Sequence, residues 1–315
     1  MATEVIIPDN EQHWLQLRTQ DITSTDAAAL FGLSPYKTEF ELFHEKREGL
    51  VVKFEANERM KWGNRFESAI AYGVAEDQGW VVSPLKCYMR DPDARMGSSF
   101  DFQIDHPVHG IGIMEIKNVD SLQFRKNWVE AASGDLQAPE HIELQVQHQM
   151  EVSNLDWCAI VPMVGGNQAH LVFRKRDREI GQLLRARVAA FWKRVEANEP
   201  PSADYTRDAE LIAKLYSEVE AGRIVNADDD AEIASLVQDY KRAQEDAAAA
   251  EARANTAKAK ILERVTTAEK IVGSFGSIAV SRTKDSPPTI ITAEMIGKTY
   301  GGRKGYRQFK PTWKE

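Results

Sequence analysis

The 315-residue sequence is poor in cysteine and has no long apolar segment. Its only cysteines, Cys87 and Cys158, are too few for a zinc cage or a four-cysteine iron-sulfur cluster, so we expect two reduced core thiols. No window approaches the roughly 18 uninterrupted apolar residues of a membrane span. The N-terminus lacks a basic stretch followed by an apolar run. We therefore expect a soluble protein of the cytoplasm with no membrane contact.

The chain also lacks the net positive charge that is common in DNA-binding proteins, because its formal charge is −8. Lys and Arg side chains that neutralise phosphates supply much of the affinity for DNA. The charge is unevenly distributed, however, since residues 277–315 contain eight basic and only three acidic residues. An acidic body with a basic terminus is typical of a DNA channel or of a tail that docks on a partner, and it also fits a plain solvated terminus.

The size of the chain and its 43% hydrophobic content allow one core of average size and a smaller second unit. Pro200 and Pro201 precede a polar stretch, which indicates a boundary. We expect a core domain in residues 1–200, a linker in residues 201–228, and a helical and basic extension in residues 229–315.

The apolar pattern predicts a mixed α/β core. Helical spacing is present at residues 21–49 (two short helices), 57–79, 139–153 and 177–198. Period-two runs at residues 80–90, 95–105 and 110–120 predict a curved antiparallel meander. Two more strands, at 155–164 and 169–176, are separated by Gly165-Gly166-Asn167, which predicts a hairpin. One or two long, alanine-rich helices and a short β element follow.

One predicted strand carries acidic and basic residues on a single face. Side chains alternate along a strand, so Ile113, Glu115 and Lys117 point the same way. Asp101 stands between two phenylalanines, and strand pairing could set it beside Glu115. The sequence therefore predicts a pocket with two carboxylates and one ammonium group, although a Glu-x-Lys pattern alone is more often only a solvated face.

Such a pocket suits a hard divalent ion. Mg²⁺ prefers carboxylate, carbonyl and water oxygens, and Asp101, Glu115 and the backbone carbonyl of Ile116 form such a set. Lys117 could position a water molecule or stabilise charge on a phosphate. Asp105 is a weaker substitute for Asp101.

Five segments occur in an order that resembles a known family: LRTQDITSTDAAALFGLSPYKT, GNRFES, SSFDF, MEIKN and LQVQHQMEVS. This arrangement, over about residues 10 to 175, resembles the lambda-exonuclease-like, YqaJ-type phage recombination nucleases of the PD-(D/E)xK superfamily. The resemblance implies a restriction-endonuclease-like core, a central mixed sheet flanked by helices. The helical extension would follow this core and end in the small β element.

The resemblance also implies roles for individual residues. Asp101 and Glu115 would ligate Mg²⁺, for which Mn²⁺ can substitute, and Lys117 would assist the attacking water. Glu67 would lie near the metal, Gln147 would orient the catalytic group or water, and Arg18 with Thr25 would hold a 5′ phosphate. The alternatives are purely structural roles: an exposed acid at Glu67, an ordinary polar helix residue at Gln147, and a helix entrance with its N-cap at Arg18 and Thr25.

The sequence departs from the family at one metal ligand. The usual Pro-Asp-Gly is replaced by Phe100-Asp101-Phe102. Without the glycine, a plain strand is expected around Asp101, and this residue becomes the least secure member of the set.

We expect from this resemblance a Mg²⁺-dependent deoxyribonuclease that resects double-stranded DNA from 5′ to 3′ in phage-type recombination by single-strand annealing. Double-stranded DNA ends, a single-strand annealing protein and a ring-like homo-oligomer, often a trimer, are the implied partners. Two alternatives stay open: an endonuclease on the same core, and a catalytically weak adaptor that recruits recombination proteins through its helices and basic tail.

Overall fold

A computed structural model describes residues 3–49, 57–131 and 134–280 of the chain. The chain forms two compact units, Met1–Leu215 and Tyr216–Glu315. The first unit extends beyond residue 200, because Asp208 is buried and accepts a hydrogen bond from Thr38 Oγ1 at 2.7 Å. None of the described helices is both long enough and apolar enough to cross a membrane.

The elements of the first unit follow in chain order. Its N-terminal half contains β1 (Glu4–Ile6), α1 (Glu11–Gln20), β2 (Ile22–Thr23), a 3-10 helix (Ala27–Phe31), α2 (Glu39–Glu48), α3 (Glu58–Gln78), β3 (Val81–Pro84), β4 (Tyr88–Asp91), β5 (Met96–Ser99), β6 (Phe102–His106) and β7 (Gly110–Val119). Its C-terminal half contains α4 (Ser121–Asn127), β8 (Val129–Glu130), β9 (Leu136–Gln137), α5 (Glu140–Ser153), β10 (Trp157–Val164), β11 (Gln168–Ala169), β12 (Val172–Lys175), α6 (Arg178–Ala197) and α7 (Ala209–Leu215).

A six-stranded mixed sheet organises the first unit. Strands β3, β6 and β7 are antiparallel neighbours, β7 pairs in parallel with β10, and β10 pairs with β11 and β12. The predicted hairpin after β10 is confirmed, and Gly165 and Gly166 turn the chain with φ values of 60° and 76°. The predicted fold class, a central mixed sheet flanked by helices, is confirmed.

The predicted meander over residues 80–120 is wrong in its pairing. Strands β4 and β5 belong to a second sheet with the order β1-β4-β5-β2, while only β3, β6 and β7 join the main sheet. Each of the first two period-two runs is divided, one after Pro84 and the other at Asp101. The period-two pattern of the sequence does not reveal such a division, because it does not say with which strand each half pairs.

Helices cover both faces of the main sheet and so determine which way β7 side chains point. On one face, Ile70 and Val74 of α3 pack in a buried cluster that includes Met114 and Ile116. On the other face, α5 packs in a second cluster that includes Ile113. Since Ile113 and Glu115 share a face, Glu115 points toward α5.

The helix boundaries agree with their sequence signals. The Asn57 side chain accepts a hydrogen bond from the Met60 N–H and caps the start of α3, and Gly79 ends that helix with φ 67°. Asp177 caps α6 through the N–H groups of Glu179 and Ile180. These helices are therefore specified locally.

The second unit contains one long helix and a hairpin. Helix α8 (Ala231–Val265) has no buried residue in this described stretch, and β13 (Lys270–Gly273) pairs antiparallel with β14 (Gly276–Ala279). The predicted helical extension with a small β element is confirmed. The predicted basic tail falls almost entirely in residues 281–315, which lie outside the described residues.

Candidate active site

Strand β7 carries the two central groups of the candidate site. Glu115 is buried, with 3% of its surface exposed, and Lys117 lies two residues further along the same face. Lys117 Nζ donates a hydrogen bond to Glu115 Oε1 at 2.6 Å. The strand geometry that the sequence predicted therefore produces a close ion pair at the edge of the α5 cluster.

Two glutamines of helix α5 form hydrogen bonds with this pair. Gln145 Nε2 donates to Glu115 Oε1 at 2.6 Å, and Gln149 Nε2 donates to Glu115 Oε2 at 2.7 Å. Gln145 also accepts a hydrogen bond from Lys117 Nζ at 3.0 Å through its Oε1. Residues four apart share one face of a helix, so the pair acts as a clamp on both carboxylate oxygens.

Gln147 does not lie at this site. Its Nε2 donates to the Lys175 carbonyl at 2.9 Å, and its Oε1 accepts from the Asp177 N–H at 2.8 Å. The residue points to the junction of β12 and α6 because it is two positions, about 200°, around the helix from either neighbouring glutamine. The expectation that Gln147 lies at this site is therefore corrected, because Gln145 and Gln149 contact Glu115 instead.

Asp101 lies in the bend between β5 and β6 and not in a plain strand, which corrects the expectation drawn from its Phe-Asp-Phe context. The bend sends Phe100 into the cluster under α5 and Phe102 into the cluster under α3. Asp101 Oδ2 accepts a hydrogen bond from the Ile116 N–H at 2.8 Å. The carboxylate thus takes the place of a strand partner where β6 leaves β7.

The same contact fixes the direction of the Ile116 carbonyl. In an extended strand the N–H and C=O of one residue point to the same edge. Because the Ile116 N–H points to Asp101, the Ile116 carbonyl points to that edge as well. An acidic side chain and a backbone oxygen are therefore both directed toward the gap beside Glu115.

Burial, and after it the neighbouring carboxylates, shift the ionisation of this cluster. Burial and the charge of Glu115 raise the pKa of Asp101 well above its usual range, although the Lys117 charge and the Ile116 N–H oppose the effect. Burial alone would lower the pKa of Lys117, but the charges of Glu115 and Asp101 raise it, so this amine stays protonated.

Glu67 belongs to the same electrostatic environment. It lies half-buried on α3, and burial together with the charge of Glu115 raises its pKa. Asp105, the substitute ligand considered from sequence, is exposed on β6 and pairs with Ile111, which is four residues before Glu115 on β7. The structure therefore brings Glu67 and Asp101 toward Glu115 but leaves Asp105 apart.

The residues present fit a divalent cation that prefers oxygen. Three carboxylates, those of Glu67, Asp101 and Glu115, influence one another and face one ammonium group. A cation of charge two would offset that imbalance. No group of three or more His, Cys, Asp or Glu side chains within the described ranges is close enough to hold a metal. An ion here would have to be held by fewer than three such side chains, which leaves Asp101 and Glu115 with the Ile116 carbonyl and water.

Two further residues lie beside Lys117 that the sequence did not single out. Burial and, to a smaller extent, the Lys117 charge lower the pKa of His141. Tyr36 contributes to the raised pKa of Lys117. The Tyr36 and His141 rings meet edge to face with centroids 5.8 Å apart. Tyr36 is 82% exposed. In the sequence, Tyr36 is marked only by its place in the same segment as Thr25.

Arg18 and Thr25 form a second cluster. Arg18 Nη2 donates to Thr25 Oγ1 at 3.1 Å, and the Arg18 guanidinium lies over the Trp14 ring at 4.7 Å. The 3-10 helix that begins two residues after Thr25 packs against α5. The same helix, α5, therefore supports this cluster and the carboxylate cluster.

A buried ion network supports the Arg18–Thr25 pair from behind. Thr23 Oγ1 lies 3.1 Å from Thr25 Oγ1 and donates to Asp26 Oδ2 at 2.8 Å. Burial by itself would raise the pKa of Asp26, but the charges of Lys46, Lys37 and Arg18 hold it far below its usual range. Lys46 is thus occupied by Asp26, at 2.9 Å, whereas the Arg18 guanidinium contacts only a neutral hydroxyl and a ring among these groups.

Part of the chain is similar to known proteins. Residues 13–156 match the sequence model of the YqaJ-like viral recombinase domain. The uncharacterized protein YqaJ of Bacillus subtilis (strain 168) is 26% identical over 231 residues, 71% of this chain and 70% of that protein. The motif-based resemblance to the YqaJ type is therefore confirmed.

Two solved structures are also similar. The alkaline exonuclease LHK-Exo from Laribacter hongkongensis has a TM-score of 0.47 and 20% identity, covering 65% of this chain and 99% of that one. A phage related exonuclease from Haemophilus somnus 129PT has a TM-score of 0.41 and 13% identity, covering 62% of this chain and 96% of that one.

Proposed function

We propose that this chain, which carries a YqaJ-like viral recombinase domain in residues 13–156, is a metal-dependent deoxyribonuclease that degrades duplex DNA from 5′ ends. The observation that carries the proposal is the cluster of Asp101, Glu115 and Lys117, in which two carboxylates and one ammonium group converge beside a backbone carbonyl.

Each residue of the cluster has a task in this proposal. Asp101, Glu115 and the Ile116 carbonyl would hold Mg²⁺ or Mn²⁺, and the bound ion would supply Lewis acidity at a water and at the scissile phosphate. Lys117 stays protonated and therefore donates to the water or to a phosphate oxygen, rather than removing a proton. Gln145 and Gln149 keep the Glu115 carboxylate in one orientation. They are positioning residues.

Arg18 and Thr25 are proposed as the contact for a terminal 5′ phosphate. A guanidinium and a hydroxyl 3.1 Å apart present several donors to one small anion. The Asp26 network holds Thr25 in place without neutralising the Arg18 charge by a direct ion pair. This contact distinguishes an exonuclease that starts at ends from an endonuclease on the same core.

The deciding experiment uses linear duplexes labelled at either end, with and without a 5′ phosphate, in the presence of Mg²⁺. We expect mononucleotides from phosphorylated 5′ ends, no product with a chelator, and loss of cleavage in Lys117→Ala. Lys193→Ala, an exposed lysine on α6, is the matched control and should cleave as the wild type does. Equal cleavage by the wild type and Lys117→Ala would refute the assignment of the active site.

A second comparison tests the polarity. Arg18→Ala should cleave phosphorylated and unphosphorylated ends equally, because the preferential contact is lost. Cleavage of closed circular duplex at a rate comparable with linear duplex would favour the endonuclease instead. The resemblance also implies a single-strand annealing protein and a ring-like homo-oligomer, often a trimer, as partners; co-sedimentation with such a protein and the mass in solution test these two parts of the proposal.

A further inference from the structure

Helix α8 presents a continuous apolar seam that none of the described residues of the second unit buries. Written in heptads, nine of its ten a and d positions are apolar. They are Ile233, Leu236, Tyr240, Ala243, Ala247, Ala250, Ala254, Ala257 and Ile261, and the tenth position is Arg264. Apolar residues at a and d over five heptads are the pattern of a coiled coil.

The sizes of these residues are ordered along the helix. Five alanines fill the middle of the seam, from Ala243 to Ala257, and larger side chains stand at both ends. Small residues allow two helix axes to approach closely, because the distance between packed helices depends on the side chains between them. The partner must therefore also be small in its middle, a condition that a second copy of α8 meets.

The charges that flank the seam are also ordered. The g positions carry Glu232, Asp239 and Asp246 in the N-terminal half, but Arg253 and Lys260 in the C-terminal half. Residues at e and g form the interhelical ion pairs that decide partner and orientation. In an antiparallel pair, g positions face g positions, so the acidic half of one helix lies along the basic half of the other.

We propose that α8 pairs antiparallel with α8 of a second copy of this chain. With the two helices fully overlapped, Ala247 of one copy faces Ala250 of the other, and Ile261 faces Leu236. In the same register, Asp239 faces Lys260 and Asp246 faces Arg253, and each pair occurs twice by symmetry. The fully overlapped register thus satisfies packing and charge together along about 50 Å of helix.

A parallel pair is disfavoured by the same residues. In a parallel coiled coil, each g position faces the e position of the next heptad on the partner. Asp246 would then face Glu251, and Arg253 would face Lys258, so both charged contacts would repel. In the antiparallel register, the e positions bring Val237 to Lys258 and Gln244 to Glu251, with no like charges opposed.

This pairing does not depend on the nuclease proposal. It uses only residues of the second unit, whereas every residue of the candidate active site lies in the first unit. The mass of the chain in solution can therefore support or refute it whatever the outcome of the cleavage assays.

Charge reversal in the full-length chain tests the pairing and its orientation. We expect the wild type to have a larger mass than the Arg253→Glu/Lys260→Glu variant in sedimentation at the same concentration, and twice its mass where the first unit alone is monomeric. Asp239→Lys/Asp246→Lys should also lose association. An equimolar mixture of these two variants should regain the wild-type mass, because a helix that is acidic at positions 239, 246, 253 and 260 then faces one that is basic at all four.

The control variant is Gln238→Glu/Ala259→Glu, which adds two carboxylates at the outer f positions and should keep the wild-type mass. Equal masses for the wild type and both charge-reversal variants would overturn the proposal. A parallel pair predicts the opposite for Arg253→Glu/Lys260→Glu, which would then associate more tightly, since the carboxylate introduced at position 253 would face Lys258. Circular dichroism of each variant establishes that the helix is retained.

Discussion

His148 lies fully buried on α5, between Gln147 and Gln149 in the sequence. Its Nδ1 is 3.0 Å from Ser98 Oγ on β5. Burial lowers the pKa of His148 to about 4. An unfolded histidine has an ordinary pKa of roughly 6.5, so the unfolded chain binds more protons than the folded chain between these two values.

The stability contributed by neutral His148 is present above about pH 6.5 and is lost as the pH falls toward 4. The free energy at stake is at most about 3 kcal/mol. We predict that lowering the pH from 7 to 5 decreases the urea midpoint of the wild type more than that of His148→Asn. Parallel pH profiles for the two proteins would contradict a buried neutral histidine.

Sequence motifs predict the direction of some side chains of the candidate site and miss that of others. The two-residue spacing of Glu115 and Lys117 predicts their shared face, and the structure agrees. The motif on α5 does not say which glutamine faces the sheet. A helical projection does not decide it, because Gln149 borders the apolar stripe of Ile142, Val146 and Met150 closely, whereas Gln145 and Gln147 lie equally far from it on opposite sides.

At the scale of the helix, two glutamines of α5 should differ in what their removal costs: one the cleavage rate, the other stability. Gln145→Ala should lower the cleavage rate about 10- to 100-fold, because Glu115 and Lys117 lose a shared partner. Gln147→Ala should lower stability by about 1–3 kcal/mol, because a backbone donor at the start of α6 loses its acceptor. Its cleavage rate per folded molecule should not change. Denaturation and single-turnover cleavage of both variants give the four values needed, and a slow Gln147→Ala enzyme would contradict this division.

The strands and helices differ in how they tolerate an added methyl group at glycine. A Cβ at Gly112 on β7 would lie 2.2 Å from Trp157 Cε2, whereas a Cβ at Gly73 on α3 would meet nothing within 4 Å. We expect Gly112→Ala to destabilise by about 1–3 kcal/mol through overpacking. The matched substitution Gly73→Ala should stabilise by roughly 0.5–1 kcal/mol. Equal thermal midpoints for the two variants would contradict the close contact between β7 and Trp157.

Elements whose signals are local were predictable, and those whose partners are remote were not. Asn57 and Gly79 mark α3, and Gly165 with Gly166 marks a hairpin, in each case within a few residues. The transfer of β4 and β5 to a second sheet depends on pairing with β1 and β2, which lie more than 60 residues earlier. No local pattern specifies such a pairing, because an alternating strand fits either sheet.

At the scale of the whole molecule, the two compact units suggest a division of labour. The predicted division into core, linker and extension stays a prediction, and truncation tests it. A chain ending at residue 219 retains the whole first unit with the candidate site. It should therefore unfold cooperatively and cleave DNA with Mg²⁺. Its assemblies should contain half as many chains as those of the full-length protein. A truncated chain that associates as the full chain does would contradict a pairing through α8.

The contact between the Asp101 carboxylate and the Ile116 N–H gives the molecule a built-in reporter. This amide proton is donated directly to the side chain of a proposed metal ligand. Its solvent exchange rate and its nitrogen-15 resonance should therefore respond to whatever engages Asp101. Spectroscopy of a catalytically silent variant could then follow ion uptake at a single backbone position, without substrate and without turnover.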